Sequence, residues 1–403
     1  MGKFSDFGIG CEVIELAKKA KKNVKEKFLE IDEIAEFNQL KVLKAFQDNR
    51  VSDAHFGSTT GYGYDDCGRD VIDAVFAQVF GCEDALVRHN FVNGTHAIAT
   101  ALFGVLRPDD TLLSVGKPYD TLEGVIKGEG GSLADFGVGY REVGMDDDFS
   151  GAKMVLIQRS KGYLWQDSLD CERIGEMIRE IRKKNENIVV FVDNCYGEMV
   201  EREEPLQVGA DLIAGSLIKN VGGGLARTGG YVAGRADLVE MCANRLTSVG
   251  LGKHVGATLG MNREILQGIF MAPHTVGEAL KTAVFCAELM ELAGYEVLPR
   301  SGDKRTDIIQ AVKLGSAERV LAFCRGIQAG SPIDSFVTPE SWDMPGYDMP
   351  VVMAAGTFVQ GASIELSADS PIKPPFIAYM QGGLTYASGK VGVMRALQEV
   401  MRY

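Results

Sequence analysis

Short apolar runs alternate with stretches of helical period between residues 85 and 234. Ile188, Val189, Val190, Phe191 and Val192 form one unbroken apolar run, the pattern of a strand covered on both faces. Residues 85–92, 111–115, 154–158, 211–216 and 231–233 read as further strands. Between them apolar positions recur every three or four residues, as in Val71, Val75 and Val79, in Ile98, Leu102, Val105 and Leu106, and in Ile174, Met177, Ile178 and Ile181. This alternation predicts a three-layer α/β domain built on a mostly parallel sheet. Ahead of it, Val13, Leu16, Ala17 and Ala20, then Ile31, Ile34, Ala35 and Leu40, predict a helical arm over residues 1–50. Beyond it, Ala279, Leu280, Ala283, Val284, Ala287 and Met290 mark the buried face of a long helix over 275–293. The large domain then spans 51–292, and a smaller α+β domain spans 293–403. In that smaller domain strands are expected at 307–314, 351–358 and 363–366, and helices at 317–327 and 389–400.

The chemistry-bearing residues stand where strands end. Asp193 closes the apolar run 188–192, and Lys219 follows the strand 211–216 by three residues. Gly222, Gly223 and Gly224, then Gly229 and Gly230, carry the chain onward into the next strand. Ligands of open parallel sheets bind beyond the carboxyl ends of the strands, where both side chains would point. An amine and a carboxylate so placed suit pyridoxal phosphate. That cofactor needs an amine to hold its aldehyde and an acid to keep its ring nitrogen protonated. Lys219 lies between Leu217-Ile218 and the glycines, and burial there is expected to lower its pKa. Ser216 and Arg227 flank it and can offer donors to a phosphate.

Asn93-Gly94-Thr95 is the expected turn from a strand into a helix beginning near His96. A helix N-terminus after a small-residue turn is an anion site. His96 could stack on a cofactor ring or pack against the first helical turn. Tyr119 follows the strand 111–115 and also reaches a strand's carboxyl end. The stretch 55–69, HFGSTTGYGYDDCGR, is a glycine-rich loop dense in Tyr62, Tyr64 and Arg69.

The segment SLIKNVGGGLARTGGYVAG with DNCYGE upstream, together with NGTHAI and GYGYDDCGRD, resembles the methionine gamma-lyase or aluminium-resistance family. These are fold-type I pyridoxal phosphate enzymes related to the cystathionine lyases, and the likeness runs from about Asp53 to the C-terminus. It implies a carbon–sulfur lyase acting on an amino acid of the cystathionine, methionine or cysteine type. It implies the cofactor phosphate on Gly94 and Thr95, and a ring-stacking acid or base at Tyr119. It further implies that Tyr64, with Arg69, reaches the phosphate in a neighbouring subunit, so that a homodimer or homotetramer carries active sites at its interface. An arginine of the small domain would bind the substrate carboxylate, with Arg300, Arg305 and Arg325 all open. Two other readings remain: an aminotransferase, whose pattern the Ser-x-x-Lys-x7-Arg spacing matches, and a metal-binding protein, which the family's aluminium-resistance name, the acidic balance and the EREE run at 201–204 would suit.

Composition narrows the field. The net charge is −13 without a basic patch, which argues against nucleic acid as a partner. The lysines of 18–27 fall on one face of a helix. No run approaches the length of a membrane span and no apolar leader opens the chain. The eight cysteines are scattered with no C-x-x-C pair, so a reducing cytoplasm is expected and no disulfide or zinc framework. Cys195 reads as a small residue beneath the cofactor, and His96 lacks partners at metal-ligand spacing.

Overall fold

The computed structural model describes residues 2–344 and 349–403. The chain divides into two compact units. One comprises residues 38–160 and 168–270, the other residues 1–37, 161–167 and 271–403.

The first unit is built on seven strands: β1 Asp84–Arg88, β2 Thr111–Val115, β3 Gly139–Val143, β4 Met154–Gln158, β5 Val189–Asp193, β6 Leu212–Ser216 and β7 Gly230–Gly234. They lie in the order β1-β7-β6-β5-β4-β2-β3. Strands β3, β2, β4, β5 and β6 pair in parallel. Only β7 runs against its neighbours, β1 and β6. Its direction follows from the connection. The glycine-bearing turn after Lys219 leads straight back along β6, whereas a parallel partner would need a full crossover. The central strands β5, β6 and β7 are buried at every position. On one side Leu112, Leu156, Phe191, Leu212 and Val232 pack with Ile98, Ala101, Leu102 and Val105 of the helix Gly94–Val105. This is the fold-type I arrangement, with the helix N-terminus at the carboxyl end of the parallel strands.

The second unit holds an antiparallel sheet of β8 Glu296–Leu298, β9 Ile309–Lys313, β10 Ser341–Trp342, β11 Val351–Ala354, β12 Ser367–Pro371 and β13 Ile377–Gln381. Their order is β10-β11-β12-β13-β9-β8. Two helices, Ala317–Ala329 and Tyr386–Val400, supply Phe323, Ile327, Val393 and Leu397 to its core. Val13, Ala17 and Ala20 of the helix Cys11–Asn23 join that core. The expected arm over 1–50 is therefore divided, its first part packing as a piece of the C-terminal unit. The second boundary also moves, from 292 to 270, inside the helix Asn262–Leu292. Residues 363–366, expected as a strand, form a turn, and the strand begins at Ser367. The Glu365 carboxylate accepts the amides of Phe358 and Val359 at 2.8 and 2.9 Å, which holds that turn. Among the described residues no helix is long and apolar enough to cross a membrane.

Candidate active site

Strand β5 ends in Asp193, whose backbone stands in register with Gln158 of β4 and Ala214 of β6. Beyond these ends opens a small cleft. Its lining is Thr95, Ile98, Tyr119, Thr121, Leu122, Gln158, Ser160, Asp193, Cys195, Tyr196 and Lys219. Lys219, Asp193, Tyr119 and Thr95 of the sequence prediction thus share one cleft.

The Lys219 amine lies over the Tyr196 ring, 3.9 Å from its centre. Burial by itself pushes the ammonium down. The acidic groups of Cys195, Tyr196, Asp193 and Glu198 outweigh that and hold its pKa above the ordinary lysine value. This corrects the expected lowered pKa: the sequence shows the apolar neighbours of Lys219 but not the acids that the turn after β5 folds against it. Asp193 is buried, and its Oδ1 accepts the Cys195 amide at 3.1 Å. Burial raises its pKa, and the Lys219 charge works the other way.

The helix Gly94–Val105 starts on an Asn93 cap that accepts the His96 amide at 2.8 Å. A Cβ on Gly94 would sit 3.3 Å from both Cys195 Sγ and Ser216 Cβ. Glycine here lets the helix end approach β6. The Thr95 and Thr121 hydroxyls meet at 2.9 Å.

The profile of the methionine gamma-lyase family matches residues 13–401. The chain belongs to that family. A solved protein of Clostridium acetobutylicum, described as a candidate cystathionine beta-lyase involved in aluminium resistance, is 52% identical, with a TM-score of 0.95 over 98% of this chain and 97% of its own. The protein YnbB of Bacillus subtilis is 51% identical over 390 residues, 93% of each chain. A pyridoxal-5'-phosphate-dependent protein of Escherichia coli, YhfS, shares the fold at 17% identity, with a TM-score of 0.62 over 92% of this chain and 97% of its own.

The residues of this methionine gamma-lyase family member fit pyridoxal phosphate. One cleft holds an amine, a buried carboxylate and the amide-rich start of a helix. Other predicted residues stand outside the lining. Ser216 is buried against Gly94, and its Oγ accepts the Ile218 amide at 3.3 Å. His96 accepts the Val92 amide on Nδ1 at 3.1 Å and turns its edge to Phe91, so its ring serves the helix start. Arg227 donates from Nε to Glu264 at 2.7 Å and is largely exposed. Glu264, in the first turn of the helix Asn262–Leu292, supplies a carboxylate where a phosphate was expected. Tyr64 is exposed and stacked on Tyr62, 5.5 Å between ring centres. Arg69 is buried and binds the Gly63 and Gly256 carbonyls at 2.6 and 3.2 Å. A desolvated guanidinium needs such acceptors, so Arg69 holds its own loop.

In the C-terminal unit Arg305 is buried on Gln310 at 2.7 Å, and Arg325 donates to the Pro339 carbonyl at 3.2 Å. Five lining residues escaped the sequence reading: Thr121, Leu122, Gln158, Ser160 and Tyr196. Gln158 was within reach, because it ends a strand as Asp193 does. Among the described residues no group of three His, Cys, Asp or Glu side chains could hold a metal ion.

Proposed function

We propose that this chain is a pyridoxal-phosphate-dependent carbon–sulfur lyase. Its substrate is a sulfur-containing amino acid of the cystathionine, methionine or cysteine type, and α,β- or α,γ-elimination followed by hydrolysis with water releases a thiol, a 2-oxo acid and ammonia. The observation that carries this reading is that Lys219 and Asp193 line one cleft at the ends of β5 and β6. The family and its solved relative in Clostridium acetobutylicum support the carbon–sulfur chemistry.

When bound, pyridoxal phosphate withdraws electrons from the substrate's α carbon and acidifies its C–H bond. Lys219 is the residue that would bind the aldehyde. Its amine would also take the substrate's α proton. Asp193, buried at the end of β5, would hold the proton on the pyridine nitrogen. Tyr119 delivers a proton to the departing sulfur. Gly94 and Thr95 would orient the phosphate with the first amides of their helix. Tyr64, exposed on its loop, meets the site of a second copy in a homodimer or homotetramer.

The test is a visible spectrum of the purified protein, followed by addition of cystathionine, methionine and cysteine in turn. A visible absorbance band of the bound cofactor, its loss in Lys219→Ala, and ammonia release without added 2-oxo acid are expected. A protein that never takes up the cofactor would end the reading. Turnover that depends on an added 2-oxo acid would make it an aminotransferase instead.

A further inference from the structure

Two helices begin at one corner of the cleft, and each brings a threonine in its first turn. The helix Gly94–Val105 carries Thr95, and the helix Asp120–Lys127 carries Thr121. Both threonines line the cleft with Asp193 and Lys219. Leu122 and Ile126 seat the second helix in the core that also holds Ile98 and Leu102 of the first. That packing brings the Thr95 and Thr121 hydroxyls to 2.9 Å.

Neither hydroxyl serves its own helix. Asn93 caps the first by accepting the His96 amide, and the second has no side-chain cap. Threonine is also a weak helix former, so helix strength does not explain either residue. A hydroxyl holds one proton and two lone pairs. In the bonded pair one proton lies between the oxygens and the other is uncommitted. Among the described residues the two hydroxyls have no further hydrogen-bond partner. The pair therefore offers a spare O–H beside the open amides of a helix start, where an anion is favoured. Asp120, next to Thr121, would repel that anion, but its Oδ1 accepts from the Lys117 amine at 3.0 Å, which offsets its charge.

We propose that Thr121 is a positioning residue for the cofactor phosphate. Its hydroxyl donates to Thr95 Oγ1, so the spare proton belongs to Thr95 and is turned to the anion at the helix start. A hydroxyl that accepts a hydrogen bond becomes a stronger donor itself. This rests on the reading that the cleft holds pyridoxal phosphate with its phosphate at Thr95. A bond that merely joined the two helices would act without regard to any ligand.

The experiment titrates the full-length protein, stripped of cofactor, with pyridoxal phosphate and with pyridoxal, read by fluorescence. Thr121→Val keeps the shape of the side chain and removes the donor. Its dissociation constant for pyridoxal phosphate should rise by about fivefold, the scale of one net hydrogen bond, while that for pyridoxal stays in place. Thr121→Ser keeps the hydroxyl and should match the parent. In a Thr95→Val background, Thr121→Val should add nothing, because its effect runs through Thr95. The proposal is overturned if both ligands weaken alike or neither does, if the serine variant is as weak as the valine one, or if the full effect persists without the Thr95 hydroxyl. Should Thr121→Val not fold, Thr121→Ala decides by the same comparison. A parent protein that binds neither ligand ends the functional reading and this proposal together. A parent that binds both, with a variant that treats them alike, ends this proposal alone.

Discussion

The Lys219 amine rests 3.9 Å from the centre of the Tyr196 ring, and Tyr196 has a left-handed backbone with φ of 73°. A bulky residue in that region is strained by about 1–3 kcal/mol. The turn keeps it there because Asn220, beside the lysine, binds the Tyr196 and Glu198 carbonyls. The ring and the amine are thus set against each other from both sides.

Tyr196→Leu retains apolar bulk and removes the ring face. It should destabilise the cofactor-free protein by about 1 kcal/mol, the usual size of a partly desolvated cation–ring contact. Urea denaturation of both proteins gives the difference; equal stabilities would show that the ring holds nothing.

Gly94→Ala places a methyl group 3.3 Å from Cys195 Sγ and Ser216 Cβ. That crowding shifts the helix start by tenths of an ångström. Affinity for pyridoxal phosphate should fall about tenfold, equivalent to about 1.4 kcal/mol, with little change in melting temperature. Fluorescence titration of the stripped protein measures it, and unchanged affinity would move the phosphate away from this turn.

Asp193→Asn keeps the shape of the side chain and loses its charge. Turnover should fall by about 10²–10³-fold, the scale of removing one preorganised electrostatic group, while the cofactor still loads on Lys219. Steady-state ammonia release and the visible spectrum separate the two effects. Retained turnover would exclude Asp193 from the ring nitrogen.

The Glu198 carboxyl, raised to about 8 in the fold, has a stability signature of its own. Between its unfolded value, about 4.3, and the folded one, the folded chain holds a proton that the unfolded chain has lost. Stability from this group is therefore full in acid, declines as pH rises through that window, and is level above it. Replacement by Gln removes this decline. The difference between parent and Glu198→Gln in unfolding free energy should change by a few kcal/mol from pH 5 to pH 8, and a constant difference would contradict it.

The local pattern carried much of this molecule. Unbroken apolar runs located β2 and β4 to the residue, and β5, β6 and β7 within one residue at each end. Helical spacing located the helices that cover them. A residue at a strand's carboxyl end is a statement about a few neighbouring positions, so Asp193 and Lys219 were legible without any tertiary contact. The segment 363–366 was not, because its turn depends on Glu365 closing onto amides at 358 and 359.

What the chain alone determined is which side chains stand at the ends of buried strands, since burial and period are written position by position. Tertiary structure decided their states and partners. Arg227 met Glu264, Arg69 met the carbonyls of its own loop, and Glu198 met Tyr231. Lys219 acquired a raised rather than a lowered pKa from acids gathered around it. Each outcome depends on which strands lie side by side and what the turns between them fold against. Charge acts through space, while spacing in the chain records only the order in which the charges are joined.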